Sequence, residues 1–193
     1  MTRSYQMGER ARSVEATRAR ILESTFALIF ECSYEELTLQ KVAERAGTTF
    51  QTVLRHFDAK DNLIGAVAER FAPEESASRH VAAGDVASVA RVLCDRYEAT
   101  ADATLQWEAL EDRVEAIGTA LRRTRDEHRA WLEEAFADAL SALTRTERRR
   151  RVAQLYAATD INTWRLWRRR LGMSARDTRL AMESALRALL APG

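Results

Sequence analysis

Apolar residues fall into helical rhythm early in the chain. Over residues 17–31, Ile21, Leu22, Phe26, Ile29 and Phe30 recur at steps of three and four, which predicts a first amphipathic helix. Residues 38–57, TLQKVAERAGTTFQTVLRHF, predict two much shorter helices. Leu39, Val42, Ala43 and Ala46 stripe the first of these, while Val53, Leu54 and Phe57 form the inward side of the second. Thr38 and Thr49 stand where side-chain oxygens can cap the two helix starts, and Gly47 stands where a left-handed residue would end the first helix tightly. So short a turn makes the two helices cross steeply. A fourth helix is expected from Leu63, Ile64, Val67 and Phe71, opened by a capping box of Asp58 with Asp61 and ended at Pro73.

Further on the segments lengthen, and all four tryptophans appear. Residues 85–100 carry Val86, Val89, Val92, Leu93 and Tyr97 on one side, and 106–113 form a shorter apolar piece. A long helix is predicted over 114–140, another from Thr144 or Thr146 to about Leu171, and a last one from its cap Ser174 to near Leu190. The pattern predicts an all-α protein, with a helix-turn-helix domain over 1–72 and a larger helical domain over 73–193. The fourth helix is expected to join them rigidly.

Composition narrows this picture. Only two prolines and seven glycines in 193 residues suit a helical protein, and the length is enough for a substantial core. A net charge of +1 offers no global basic field, so any contact with nucleic acid must come from local placement. Arg3, Arg10, Arg12, Arg18 and Arg20 supply such a local concentration ahead of the first apolar stripe. The arginines at 148–151 and 168–170 would suit a second nucleic-acid patch, but consecutive residues point all round a helix and favour a solvated or ion-paired surface. Cys32 and Cys94 lack ligand or disulfide spacing and are expected to be reduced and mostly buried. The N-terminus lacks the apolar core of a signal peptide and no stretch is long enough to cross a bilayer, so a cytoplasmic protein is expected.

Catalytic and metal chemistry find no foothold in the pattern. His56 ends the second short helix, His80 falls in a loop and His128 falls on the polar side of a long helix, so they make no metal set. No HExxH, nucleophile elbow, phosphate loop or dinucleotide fingerprint occurs, and neither cofactor nor metal is expected.

The second short helix leaves Phe50, Gln51, Thr52, Arg55 and His56 facing outward, where a merely solvated helix would carry Glu and Lys. These groups can meet base edges, thymine methyls and phosphates. Thr38, Thr48 and Thr49 flank that face. Lys60 stands in the first turn of the fourth helix, where the helix dipole disfavours a cation and a DNA phosphate would favour one. The outward face is therefore expected to be a DNA-reading surface.

Together, the apolar first helix, the LQKVAERAG-TT unit after Thr38, the closing His56-Phe57 and the lysine opening a fourth helix resemble the N-terminal domain of the TetR family of bacterial transcriptional regulators, over roughly residues 17–71. Two positions depart from the family: Gln51 stands where a small residue is common, and Leu54 where a phosphate-contacting tyrosine is common. The resemblance implies a homodimer formed by the last two helices, whose TDINTWRLWRRRLGMS segment carries a looser likeness. It also implies a near-palindromic double-stranded DNA operator and a small-molecule effector held in the second domain.

Candidate walls of that cavity are Cys94, Tyr97, Trp107, Leu110, Ile117, Trp131, Phe136 and Trp164, since aromatic side chains supply buried area with polar handles. At most one of Trp164 and Trp167 can point inward with Leu171. The acidic lean of residues 95–115 would favour a cationic ligand if those carboxylates turned inward. The implied function is a ligand-released repressor. An activator or ligand-insensitive regulator shares the pattern, whereas a helical small-molecule enzyme would need converging titratable groups that the sequence does not offer.

Overall fold

A computed structural model describes residues 2–77 and 79–191, with side chains for residues 9, 12–71 and 79–191. The described residues are helical, with no strand among them. Ten α-helices follow one another: α1 Thr2–Glu31, α2 Leu39–Arg45, α3 Phe50–Phe57, α4 Lys60–Ala77, α5 Val86–Glu108, α6 Glu115–Ala135, α7 Ala137–Ser141, α8 Arg145–Thr159, α9 Ile161–Arg165 and α10 Ala175–Leu190. A π-helical segment, Leu166–Arg170, extends α9. No described helix is long and apolar enough to cross a membrane.

Several boundaries differ from those the pattern predicts. Helix α1 starts at Thr2 because its early Arg, Glu and Ala residues favour a helix even without an apolar stripe to announce it. Arg3 and Arg10 of the expected basic arm lie outside the described side chains. Helix α4 does not stop at Pro73 but runs to Ala77, and α5 takes in the first three residues of the expected 106–113 piece, the rest of which forms turns. Asp58 does not open α4: it closes α3 in the left-handed region at φ 58°, while Asp61 accepts a hydrogen bond from the Tyr34 hydroxyl at 2.9 Å. The long helix expected over 114–140 breaks at Phe136, and the one expected from Thr144 to Leu171 breaks at Asp160. There the Asp160 carboxylate caps α9 by accepting from the Asn162 amide at 2.8 Å.

The chain divides into two compact units: Met1–Pro73 with Asp102–Leu121, and Glu74–Ala101 with Arg122–Gly193. In the first unit, Ile21 and Leu22 of α1 bury against Val42, Val53 and Leu63, one from each of the next three helices. Burial of each such side chain contributes about 1.5–3 kcal/mol. Phe26 stacks on Phe71 with ring centroids 4.2 Å apart. Trp107, Leu110 and Ile117 complete this same core, and the Trp107 indole donates to the Ile29 carbonyl at 3.2 Å.

In the second unit, α10 packs along α8 and the π segment. Thr144 and Glu147 form a reciprocal capping box at the start of α8, and Ser174 caps α10 by accepting from the Asp177 amide. His128 is not on the polar side of its helix; it is buried between Arg79 and Thr159, with its ring against Trp131 and Tyr156. Leu171 does not turn inward with a tryptophan either, being 64% exposed after the π segment redirects the chain.

Candidate nucleic-acid interface

The short connection between α2 and α3 is fixed by its own hydrogen bonds. The amide of Gly47 donates to the Glu44 carbonyl at 3.3 Å and that of Thr48 to the Ala43 carbonyl at 2.9 Å, the paired closure of a Schellman motif. Gly47 takes φ 61° to make this possible. The Arg20 side chain of α1 adds a bond to the Ala46 carbonyl at 3.4 Å. Two residues beyond the glycine, Thr49 begins α3 by accepting from the Thr52 amide at 3.2 Å, just as Thr38 begins α2 by accepting from Lys41 at 3.1 Å. Both caps stand where the sequence predicts them.

Helix α3 then divides cleanly. Val53 and Phe57 are buried, Leu54 is only half-buried, and Phe50, Gln51 and Arg55 are exposed. Thr52 and His56 sit at the margin, half-buried. The hydroxyls of Thr49 and Thr52 lie 2.9 Å apart, so the cap residue also steers Thr52. Thr38 and Thr49 are exposed and Thr48 is half-buried on the approach to this face.

Lys60 opens α4 with its ammonium 3.4 Å from the centre of the Tyr34 ring, and it also donates to the Tyr34 carbonyl. Burial pulls its pKa below the ordinary lysine value, partly offset by Glu35 and Asp61. The Tyr34 hydroxyl, held by Asp61, is pushed up to about 12 by burial and by that carboxylate. Tyr34 thus anchors the start of α4 from the α1–α2 connection, a role that its loop position in the sequence does not announce.

The proposed effector residues separate between the units. Cys94, Tyr97, Trp131, Phe136 and Trp164 lie in the second unit, whereas Trp107, Leu110 and Ile117 fill the core of the first. Within the second unit, the Tyr97 hydroxyl donates to the Thr159 carbonyl at 2.8 Å, and Trp131 donates its indole N–H to the Arg79 carbonyl at 2.9 Å. Cys32 and Cys94 are both free thiols, the first half-buried and the second buried. No cluster of three or more metal-ligating side chains occurs among the described residues. Arg79 and Thr159 were not legible as partners of His128 from the sequence, because they stand 49 and 31 residues away.

A tight left-handed turn between two capped helices, with the second presenting Gln51 and Arg55 to solvent, defines a DNA-binding helix-turn-helix protein. Residues 21–67 match the family described as bacterial regulatory proteins, tetR family, and that match supports a TetR-type transcriptional regulator. The fold is similar to that of a transcriptional regulator from Rhodococcus sp. Rha1, at 18% identity over 90% of this chain and 95% of that one, with a TM-score of 0.68. It is also similar to a proposed transcriptional regulator from Pseudomonas aeruginosa PAO1, at 19% identity over 90% of this chain and 89% of that one, with a TM-score of 0.65. At such identities the likeness shows the fold. No curated protein matches the sequence significantly.

Proposed function

We propose that this regulator is a cytoplasmic repressor that binds a near-palindromic operator as a homodimer and releases it when a small molecule occupies the second unit. The observation that carries the reading is the exposed face of α3, where Phe50, Gln51 and Arg55 project from a helix whose entry is fixed by Gly47 and Thr49. Gln offers a bidentate match to adenine and Arg to guanine, while Thr52 and Phe50 suit thymine methyls. Thr38, Thr48, Thr49, His56 and Lys60 surround these groups as candidate backbone contacts.

Two copies are needed because a single short helix reads only a few base pairs, and two-fold dimers place paired reading helices about 34–36 Å apart. Exposed Leu166, Leu171 and Leu180 near the C-terminal helices support that region as the dimer face. Cys94, Tyr97, Trp131, Phe136 and Trp164 are the effector candidates of the second unit. Release follows as a population shift: the effector favours the conformation with misplaced reading helices, and typical coupling is about 1–3 kcal/mol.

Selection of bound duplexes from a random pool tests the reading. The expected product is an inverted repeat with half-sites one helical turn or a multiple apart, bound by a dimer. Recovery of no preferred duplex, or of an unrepeated site bound by one chain, would overturn it.

A further inference from the structure

Two buried polar atoms in the second unit break rules that comparable residues obey. Trp107 and Trp131 each donate the indole N–H to a backbone carbonyl. Trp164, only 1% exposed, has no acceptor for its Nε1 among the described residues. Likewise the buried Thr25 and Thr159 return their hydroxyls to the carbonyl one turn earlier, at 2.7 and 2.8 Å. Thr178, fully buried in α10, leaves its Oγ1 without a partner among the described residues. Native interiors rarely leave such groups unmatched, and an unmatched pair signals something that completes it.

Trp164 meets α5 directly, and Thr178 is brought to the same stretch through its neighbour Met182 on α10. The Tyr97 ring lies 6.0 Å from that of Trp164. One turn earlier on α5, the Cys94 sulfur meets that of Met182 at 4.0 Å, and Met182 follows Thr178 by one turn on the same face of α10. One residue beyond Tyr97, Glu98 binds Arg168 at 2.7 Å, and Arg168 in turn donates to the Met173 carbonyl just ahead of α10. Helices α5 and α10 therefore run antiparallel here, with Tyr97 level with Thr178. The π segment begins two residues after Trp164, and such insertions recur at binding sites.

The geometry points to a site beside Tyr97 for an uncharged organic molecule whose acceptor oxygen, a ketone, ester or ether, is held by Trp164 Nε1 and Thr178 Oγ1. This deepens the effector reading above and rests on it. Charge is disfavoured on chemical grounds. Burial pushes the Cys94 thiol up to about 12 and raises the Tyr97 phenol too, and an environment that penalises those charges penalises an ionic ligand equally. Asp95 and Glu98 are exposed, and of the charges that act on Tyr97 the Asp160 carboxylate opposes the Arg79 and Arg96 guanidiniums, so no uncompensated counter-charge faces the site.

Acetophenone and ethylbenzene, alike in size and differing chiefly in one carbonyl oxygen, provide the test. Added to the full-length nitrogen-15-labelled protein, acetophenone is expected to shift the Trp164 indole N–H signal and to bind about three- to tenfold more tightly than ethylbenzene. Thr178→Val, which preserves shape, is expected to reduce that ratio while leaving ethylbenzene affinity within about twofold. The same variant without ligand should fold normally, since it removes an unmatched buried hydroxyl. Trp164→Phe is judged by the ratio of the two affinities, because its smaller ring weakens packing for both probes. No acetophenone binding, equal affinities, an unmoved indole signal, or a ratio unchanged in both variants overturns the proposal. Duplex binding measured on the same preparations separates the two readings: its absence sinks the regulator model, whereas its presence without a ketone preference sinks this site alone.

Discussion

His128 Nε2 lies 2.9 Å from Thr159 Oγ1, while the opposite ring nitrogen faces an Arg79 guanidinium nitrogen at 3.3 Å. The Thr159 hydroxyl is already donated to the Leu155 carbonyl. The ring must therefore donate from Nε2 and accept at Nδ1, which assigns the neutral tautomer from the network. Burial and then the Arg79 charge hold its pKa down to about 3, against an ordinary value of 6.5.

A pH dependence follows from that depression. As pH falls, the unfolded chain takes up this proton before the folded one does. The stability from neutral His128 is complete above about pH 6.5 and is lost between about 6.5 and 3. Urea denaturation from about pH 7 to about pH 5 should show a loss approaching about 1.4 kcal/mol per pH unit in the lower part of that range. His128→Gln should flatten this slope, and an equal slope in both proteins would contradict the buried neutral ring.

Gly47 has open space around its missing side chain but a φ of 61°, so a substitution there meets conformational strain without collision. Gly47→Ala is expected to lower stability by about 1–2 kcal/mol, and Gly47→Asn by less. Thermal melts of the two variants give the comparison; equal effects would mean that the left-handed turn is not the source.

On α3, Gln51→Ala and Arg55→Ala should relax sequence choice at the positions they read, each by about 1–3 kcal/mol of discrimination. Lys60→Ala should instead weaken all duplexes alike and lower the salt slope by about one. Competition binding at several salt concentrations distinguishes these patterns. An unchanged slope would leave Lys60 as a prop for Tyr34 and nothing more.

Leu180 is exposed on α10, as are Leu166 and Leu171 just ahead of that helix. If a second copy covers this region, Leu180→Asp buries an unpaired carboxylate at the contact. Sedimentation should then show a single chain, with duplex affinity falling at least about tenfold because paired half-site binding is lost. A variant that stays dimeric would move the contact elsewhere.

The helix-turn-helix was legible because its determinants are local. Thr38, Gly47 and Thr49 act within four or five residues of themselves, and the α3 stripe follows one period. What stayed hidden depends on distant partners. His128 looks polar on its own helix, and only Arg79 and Thr159, 49 and 31 residues away, make burial tolerable. Asp160 gives no sign of a break until its carboxylate is seen to cap α9. Periodicity also showed that Trp107, Leu110 and Ile117 face inward without saying towards which core.

That last assignment changes what can be cut. The peptide chain passes between the two units three times, after residues 73, 101 and 121, and the second passage brings back the indole that bonds α1 at Ile29. A fragment ending at Pro73 would be a torso without its lining, offering water the apolar surface that Trp107, Leu110 and Ile117 normally cover. The unit that holds the helix-turn-helix is not a detachable cassette, and chimaeras that transplant it must carry the 102–121 segment along.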